Sequence, residues 1–190
     1  MAPDHHPWTL QEIKRQQHFK GVDKTIVPRI IIQRMYLELC DSEKNRVQIY
    51  TDGSKADTGA GYGLFCEELN VNESGKLPGS WSVFSTVRAL KLIKRSRKTS
   101  FLILSDSFSA LQAIEDIWTL NPLVQLVHSE LKALNRKNIK FCWIPSHMGI
   151  KGNEKADEVA RLGTQQQQVK HASLRIGTVF MSYSSASSGR

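Results

Sequence analysis

Residues 46–66 read RVQIYTDGSKADTGAGYGLFC, and their texture decides the fold class. Val47-Gln48-Ile49-Tyr50-Thr51 alternates in the manner of a strand and runs into Asp52-Gly53-Ser54, a turn signal. Residues 59–66 form a second strand, with glycines at 59, 61 and 63 where another backbone can approach closely. Outward from this pair, a third strand is expected near 75–77, and apolar residues at 83, 87, 90 and 93 predict a helix over 83–94. Phe101-Leu102-Ile103-Leu104 is a short apolar run suited to a central strand. Amphipathic helices follow over 107–118 and 123–134, then a strand over 139–144 and a last helix over 153–162. The order β-β-β-α-β-α-α-β-α describes an α/β domain over 46–165. Its mixed five-stranded sheet has an antiparallel meander and then parallel strands with crossover helices on its faces.

Residues 1–45 read as a linker-like extension with one helix over 27–40. Pro28 suits its first turn, and Ile32, Met35, Tyr36 and Leu39 share a face. A single amphipathic helix cannot bury its stripe alone, so it is expected to pack on the domain that follows. Residues 166–190, rich in glutamine and then serine, are expected to be a disordered tail.

The 190 residues carry a formal charge of +8 and a pI of about 9.5, a balance that suits a polyanionic partner. Lys91, Lys94, Arg95, Arg97 and Lys98 cluster at the end of the 83–94 helix, equally a phosphate contact and a solvated helix end that suits the macrodipole. No run approaches the roughly 18 apolar residues of a membrane span. The start lacks the basic and apolar regions of a secretory signal, so cytoplasm or nucleus is the expected location. Cys40, Cys66 and Cys142 are odd in number and widely spaced, which argues against disulfides and structural zinc. Cys66 and Cys142 lie in strand-like runs as ordinary buried thiols.

Three aspartates sit where elements end or meet. Asp52 follows the first strand, Asp106 follows the 101–104 run, and Asp157 lies within the last helix. The ends of adjacent parallel strands and a nearby helix converge on one spot in such sheets. Three converging carboxylates repel one another, and divalent cations relieve that repulsion; oxygen-only ligands favour magnesium or manganese. Two such ions roughly 4 Å apart position a water and stabilise the leaving oxygen of a phosphodiester. Singly, each aspartate is also an ordinary turn former or surface charge. His147 stands in a loop ten residues before Asp157, placed for proton transfer or product release or simply solvated. Asn153 either shares the helix face of Asp157 or is a plain N-cap.

Ile49-Tyr50-Thr51-Asp52-Gly53-Ser54, Ser105-Asp106-Ser107 and the run from Trp143 through Ser146-His147-Met148-Gly149 to Gly152-Asn153-Glu154-Lys155-Ala156-Asp157 together resemble the ribonuclease H type 1 family. Their wording is closest to the domains at the end of arthropod non-LTR retrotransposon polyproteins, and Pro7-Trp8 with the helix before the first strand resembles the link to reverse transcriptase there. The resemblance implies a ribonuclease H-like fold and an endonuclease that cuts the RNA strand of an RNA–DNA hybrid with two Mg2+ (or Mn2+) ions. By position, Asp52, Asp106 and Asp157 would be metal ligands and catalytic, with His147 assisting turnover. Gly53, Ser54, Ser107 and Asn153 would face the substrate. Hybrid selectivity would come from contacts to 2′-hydroxyl groups. No protein partner or membrane is implied, and a monomer is the default.

One feature departs from the family. Its fourth carboxylate, a glutamate near the start of the first helix after the meander, has no counterpart: Ser82-Val83-Phe84-Ser85-Thr86-Val87-Arg88-Ala89-Leu90 stands there, and no acidic residue occurs between Glu73 and Asp106. A deletion of about seven residues between Ser85 and Val87 would remove nearly two turns, on the order of 10 Å, and almost preserve the helix's facing. Without a gap, Ser82 or Thr86 takes the glutamate's place, and neither hydroxyl replaces a carboxylate. The alternative to an active nuclease is therefore an impaired, retrotransposon-derived module that binds nucleic acid without cutting it. A transposase or another nuclease of the same fold is a third reading, disfavoured by the long third string.

Overall fold

The computed structural model describes residues 13–77 and 82–166. The expected tail over 166–190 lies outside them except for Gln166, as does the Pro7-Trp8 lead-in. Among the described residues five helices and six strands run in the order β1 (Arg15–Gln16), α1 (Arg29–Ser42), β2 (Val47–Ala56), β3 (Gly59–Cys66), β4 (Val71–Leu77), α2 (Ser82–Arg95), β5 (Ser100–Ser105), α3 (Phe108–Glu115), α4 (Pro122–Ala133), β6 (Asn138–Trp143) and α5 (Lys151–Gln165). They form one sheet of order β1-β6-β5-β2-β3-β4, antiparallel across β2, β3 and β4 and parallel across β2, β5, β6 and β1.

The expected five strands are thus six. The additional strand comes from the segment before the matched β-β-β unit, where Arg15 and Gln16 pair with Phe141 and Cys142 at the edge of β6. Two polar residues carry no alternation, so nothing in their pattern announces a strand. A second correction concerns Asp52-Gly53-Ser54, which does not turn the chain. β2 continues through it, with Asp52 opposite Gly63 and Ser54 opposite Gly61, and the hairpin reverses at Asp57-Thr58. Asp52 is therefore held inside the β2–β3 ladder, one residue past the last β2–β5 pair.

Both faces of the sheet are covered, as the continuous apolar run of β5 requires. Phe101 and Ile103 point to one face with Val47, Ile49, Tyr62, Leu64 and Phe141, where α2, α3 and α4 pack. Leu102 and Leu104 point to the other with Tyr50, Cys142 and Ala156, and there Phe19, Ile32 and Leu39 from residues 13–45 close the core. Each of those three side chains is at most 2% exposed, and complete burial of such a residue stabilises by about 1.5–3 kcal/mol. Pro28 proves to be the N-cap of α1 rather than part of its first turn.

Glu43, just past α1, ties these parts together. Its carboxylate accepts from Arg46 before β2 at 2.5 Å, from Lys140 on β6 at 2.6 Å and from Gln16 on β1 at 2.5 Å. Burial pushes its carboxyl upward, but the hydrogen bonds and charges of Lys140 and Arg46 outweigh that and hold it below the usual glutamate value.

The glycines of β3 have the role their sequence implies. A Cβ on Gly63 would stand 2.0 Å from the Ala156 carbonyl oxygen, and one on Gly61 would stand 2.4 Å from that of Ala160. α5 therefore lies directly on the strand backbone, its own small residues Gly152, Ala156 and Ala160 turned inward. Gly152 in turn rests on the Tyr50 ring. Among the described residues no helix is long and apolar enough to cross a membrane, and Cys66 and Cys142 are buried free thiols.

Candidate active site

The parallel pairing of β2 with β5 sets Thr51 beside Ser105, so the next residues, Asp52 and Asp106, emerge side by side. Asp52 is 9% exposed, and its Oδ1 accepts the Gly53 N–H at 2.7 Å. The charge of Asp106 bears directly on the Asp52 carboxyl. Asp106 is fixed from two directions. Its backbone oxygen accepts the Trp143 Nε1–H at 3.0 Å, and its Oδ2 accepts from Asn153 Nδ2 at 3.1 Å.

α5 supplies the third carboxylate. Asp157 is close enough to act on Asp52, yet its Oδ2 is turned to Arg161 one helical turn on, at 3.1 Å. Burial, then the charge and hydrogen bond of Asp106, then the charge of Asp157 push the Asp52 carboxyl up to about 8, against the lowering effect of the Gly53 N–H. Asn153 is 2% exposed, and its Oδ1 has no hydrogen-bond partner among the described residues. It is not the N-cap of α5, a position held by Ile150, but shares the face of Asp157 four residues later.

Among the described residues no three carboxylate, imidazole or thiol side chains are grouped closely enough to enclose an ion. The donor chemistry nonetheless suits a hard cation. Asp52 and Asp106 press on each other, and an orphaned amide oxygen is buried at the same place; a bound cation would offset both costs. Asp157 is paired instead with Arg161, whose side chain is exposed, and their i,i+4 spacing was readable in the sequence. The contribution of Trp143 to holding Asp106 had no such signal.

Other candidate residues lie on β2, at the start of α3 and in the loop after β6. Gly53 is exposed, and Ser54 lies two residues beyond Asp52 on the same face of β2. The Ser107 hydroxyl N-caps α3, accepting from the Ala110 N–H at 3.3 Å. His147 is exposed in the loop after β6 with φ +60°, a conformation uncommon for a residue with a side chain. The first turn of α2 contains no acidic residue, although Ser82 borders Gly53. Glu73 does not fill that place. It points to the α2 face of the sheet, where it accepts from Tyr62 Oη at 2.7 Å and pairs with Arg88 at 2.6 Å.

The Asp52 shift has a thermodynamic consequence. A carboxyl that keeps its proton to higher pH in the folded state costs stability when it is ionised. Without divalent cations this group should therefore lower stability as pH rises from about 4 to 8. In EDTA, Asp52→Asn is expected to melt above the parent at pH 8, with the gap closing toward pH 4. A variant melting at or below the parent at pH 8 would contradict the crowding described here.

Comparison with known proteins matches the RNase H family over residues 44–165. The ribonuclease H of Francisella tularensis subsp. novicida (strain U112) is 28% identical over 139 residues, covering 62% of this chain and 90% of that protein. The ribonuclease H of Francisella tularensis subsp. tularensis (strain WY96-3418) matches to the same extent. The Pol polyprotein of equine infectious anemia virus (strain Wyoming) is 24% identical over 170 residues, 82% of this chain but only 14% of the polyprotein.

Proposed function

We propose that this chain, which belongs to the RNase H family, is an endonuclease for the RNA strand of RNA–DNA hybrids, working at the carboxylates of Asp52, Asp106 and Asp157. The observation that carries the reading is the placement of Asp52 beside Asp106 just past the last β2–β5 pair, with the charges of Asp106 and Asp157 acting on the Asp52 carboxyl. The family generally uses divalent metal, and Mg2+ or Mn2+ is the ion expected from an all-oxygen donor set. Asp52 and Asp106 would hold it, with Asp157 joining on release from Arg161. Such a cation supplies an activated water and charge stabilisation for the leaving oxygen.

The chain's own residues prepare this centre. Trp143 and Asn153 orient Asp106, and the Gly53 N–H steadies the ionised form of Asp52. His147, on its exposed loop, can carry a proton to or from solvent. Gly53 and Ser54, beside Asp52 on β2, would meet the sugar–phosphate backbone, whereas the buried Asn153 would act through Asp106 and Ser107 by capping α3. The excess of basic residues supplies the electrostatic part of binding. Residues 46–165 are taken as the nuclease unit and the preceding segment as its extension, in a chain expected in the cytoplasm or nucleus.

A second reading rests on the first turn of α2. With no carboxylate there and Glu73 held by Arg88, the site contains three acids where the resemblance implies four, and a module that binds hybrids without cutting them fits that deficit. Both readings require hybrid selectivity. Fluorescence anisotropy on a labelled hybrid and the DNA duplex of the same sequence should show tighter binding of the hybrid, weakening steeply with salt. Equal affinity for the two duplexes would count against both.

A further inference from the structure

We infer that the segment from Lys24 to Gln33, outside the nuclease unit, is a clamp that fixes the His147 loop, with Gln33 as its positioning residue. The inference rests on the proposed role of His147, but its test does not require cleavage. Gln33, on α1, donates from Nε2 to the Met148 carbonyl oxygen at 2.9 Å. Lys24 donates to Ser146 Oγ at 2.7 Å, and Arg29 pairs with Glu154 in the first turn of α5 at 3.9 Å. The contact is close. A Cβ on Gly149, whose φ is +77°, would stand 2.2 Å from Arg29 Nη2 and 2.4 Å from Gln33 Nε2.

These contacts meet a loop that needs them. His147 stands at φ +60°, a conformation that is costly for a residue with a side chain and persists when its surroundings impose it. Lys24 and Arg29 act in exposed positions where ion pairs and hydrogen bonds contribute little. Gln33 is part-buried and bonds to the backbone itself, so it carries most of the restraint.

The other end of the clamp is anchored well. Ile32 and Leu39 are buried under the sheet, the Tyr36 hydroxyl meets that of Tyr50, and His18 bonds the Met35 carbonyl oxygen at 2.7 Å. Glu43 then ties the end of α1 to β1, β2 and β6. Helix α1 thus runs from beside the first half of β6 to the loop after β6 that bears the histidine. Where the chain cuts, loosening that loop slows turnover while leaving the hybrid contacts of β2 in place.

The test is backbone 15N relaxation of the full chain as parent, Gln33→Ala and Gln33→Glu; the glutamate keeps the size of the side chain and loses its N–H donor. Order parameters for residues 146–149 are expected to fall from about 0.85 to below about 0.6 in both variants, with β2, β5 and α5 unchanged. In hybrid cleavage, kcat should drop by about tenfold with KM held. Loop order parameters that stay at the parent value, or that fall together with those of the sheet, would overturn the clamp. A parent that binds hybrids without cutting them would defeat the nuclease reading alone, because the relaxation result still decides for or against the clamp.

Discussion

Gly63→Ala is expected to lower the stability of the domain by about 3 kcal/mol or more and to abolish whatever the aspartate centre does. Overpacking a close contact ordinarily costs about 1–3 kcal/mol, because side chains give way. Here none can. The added methyl would stand 2.0 Å from the Ala156 carbonyl oxygen and 2.7 Å from the Ala160 nitrogen, both backbone atoms of α5. The helix must move off β3, and Asn153 and Asp157 move with it, away from Asp106 and Asp52. Thermal melting should fall by roughly 10 °C, and the pH-dependent gap between parent and Asp52→Asn should shrink in this background. Gly59→Ala is the control. Its Cβ would meet only the flexible end of Lys76, at 3.1 Å, and its φ of +126° adds backbone strain without touching α5, so it should cost stability while leaving the Asp52 pH effect intact. Equal losses of that effect in both variants would contradict the account of how α5 is placed.

Glu43→Ala should cost about 3 kcal/mol by a different route. The carboxylate is 8% exposed, and the Arg46 side chain beside it is 11% exposed. Removing one member of a buried ion pair leaves the other charge without compensation, typically a loss of about 3–5 kcal/mol; Lys140, more exposed, loses its partner as well. The pH dependence has the opposite sign to that of Asp52. A carboxyl held below its unfolded value stabilises the fold above that value, about 4.3, and the stabilisation disappears as pH falls through the folded one. Glu43→Ala should therefore show its full deficit at neutral pH and little of it in strong acid. A deficit that persists undiminished at low pH would mean that packing of the side chain, rather than its charge, holds residues 13–45 to the sheet.

The same contrast explains what could be read in advance. The core of the fold was legible because its signals are local. The apolar run of β5, the glycines of β3 and the 3.6-residue periodicity of α2 and α4 each name an element without reference to the others. β1 was not legible, because Arg15 and Gln16 are strand residues only by virtue of the free edge of β6. The course of β2 through Asp52-Gly53-Ser54 was hidden for a related reason: turn-forming residues were overridden by pairing with Tyr62 and Gly61, residues that had to be folded first to be seen.

At the site, the sequence singled out three aspartates, two after strand-like runs and one within the last helix, and the convergence of Asp52 with Asp106 follows from the β2–β5 register. It did not show that Asn153 bridges α5 to Asp106 or that Trp143 steadies the Asp106 backbone, since both are contacts between residues far apart in the chain. Nor did it show that Glu73 is taken by Arg88 and Tyr62, which removes one source of a fourth carboxylate. The Glu43 hub, joining four elements, is invisible to any reading that moves along the chain.

The most direct test is hydrolysis of a hybrid labelled on its RNA strand, in Mg2+ and in Mn2+, by the parent chain and by Asp52→Asn. The nuclease reading predicts cleavage of the RNA strand by the parent, loss of at least 100-fold in Asp52→Asn (about 2.7 kcal/mol of barrier), and no cutting of the DNA duplex. Hybrid binding by the parent with no cleavage in either metal would contradict it and leave the chain as a binding module built on the same fold.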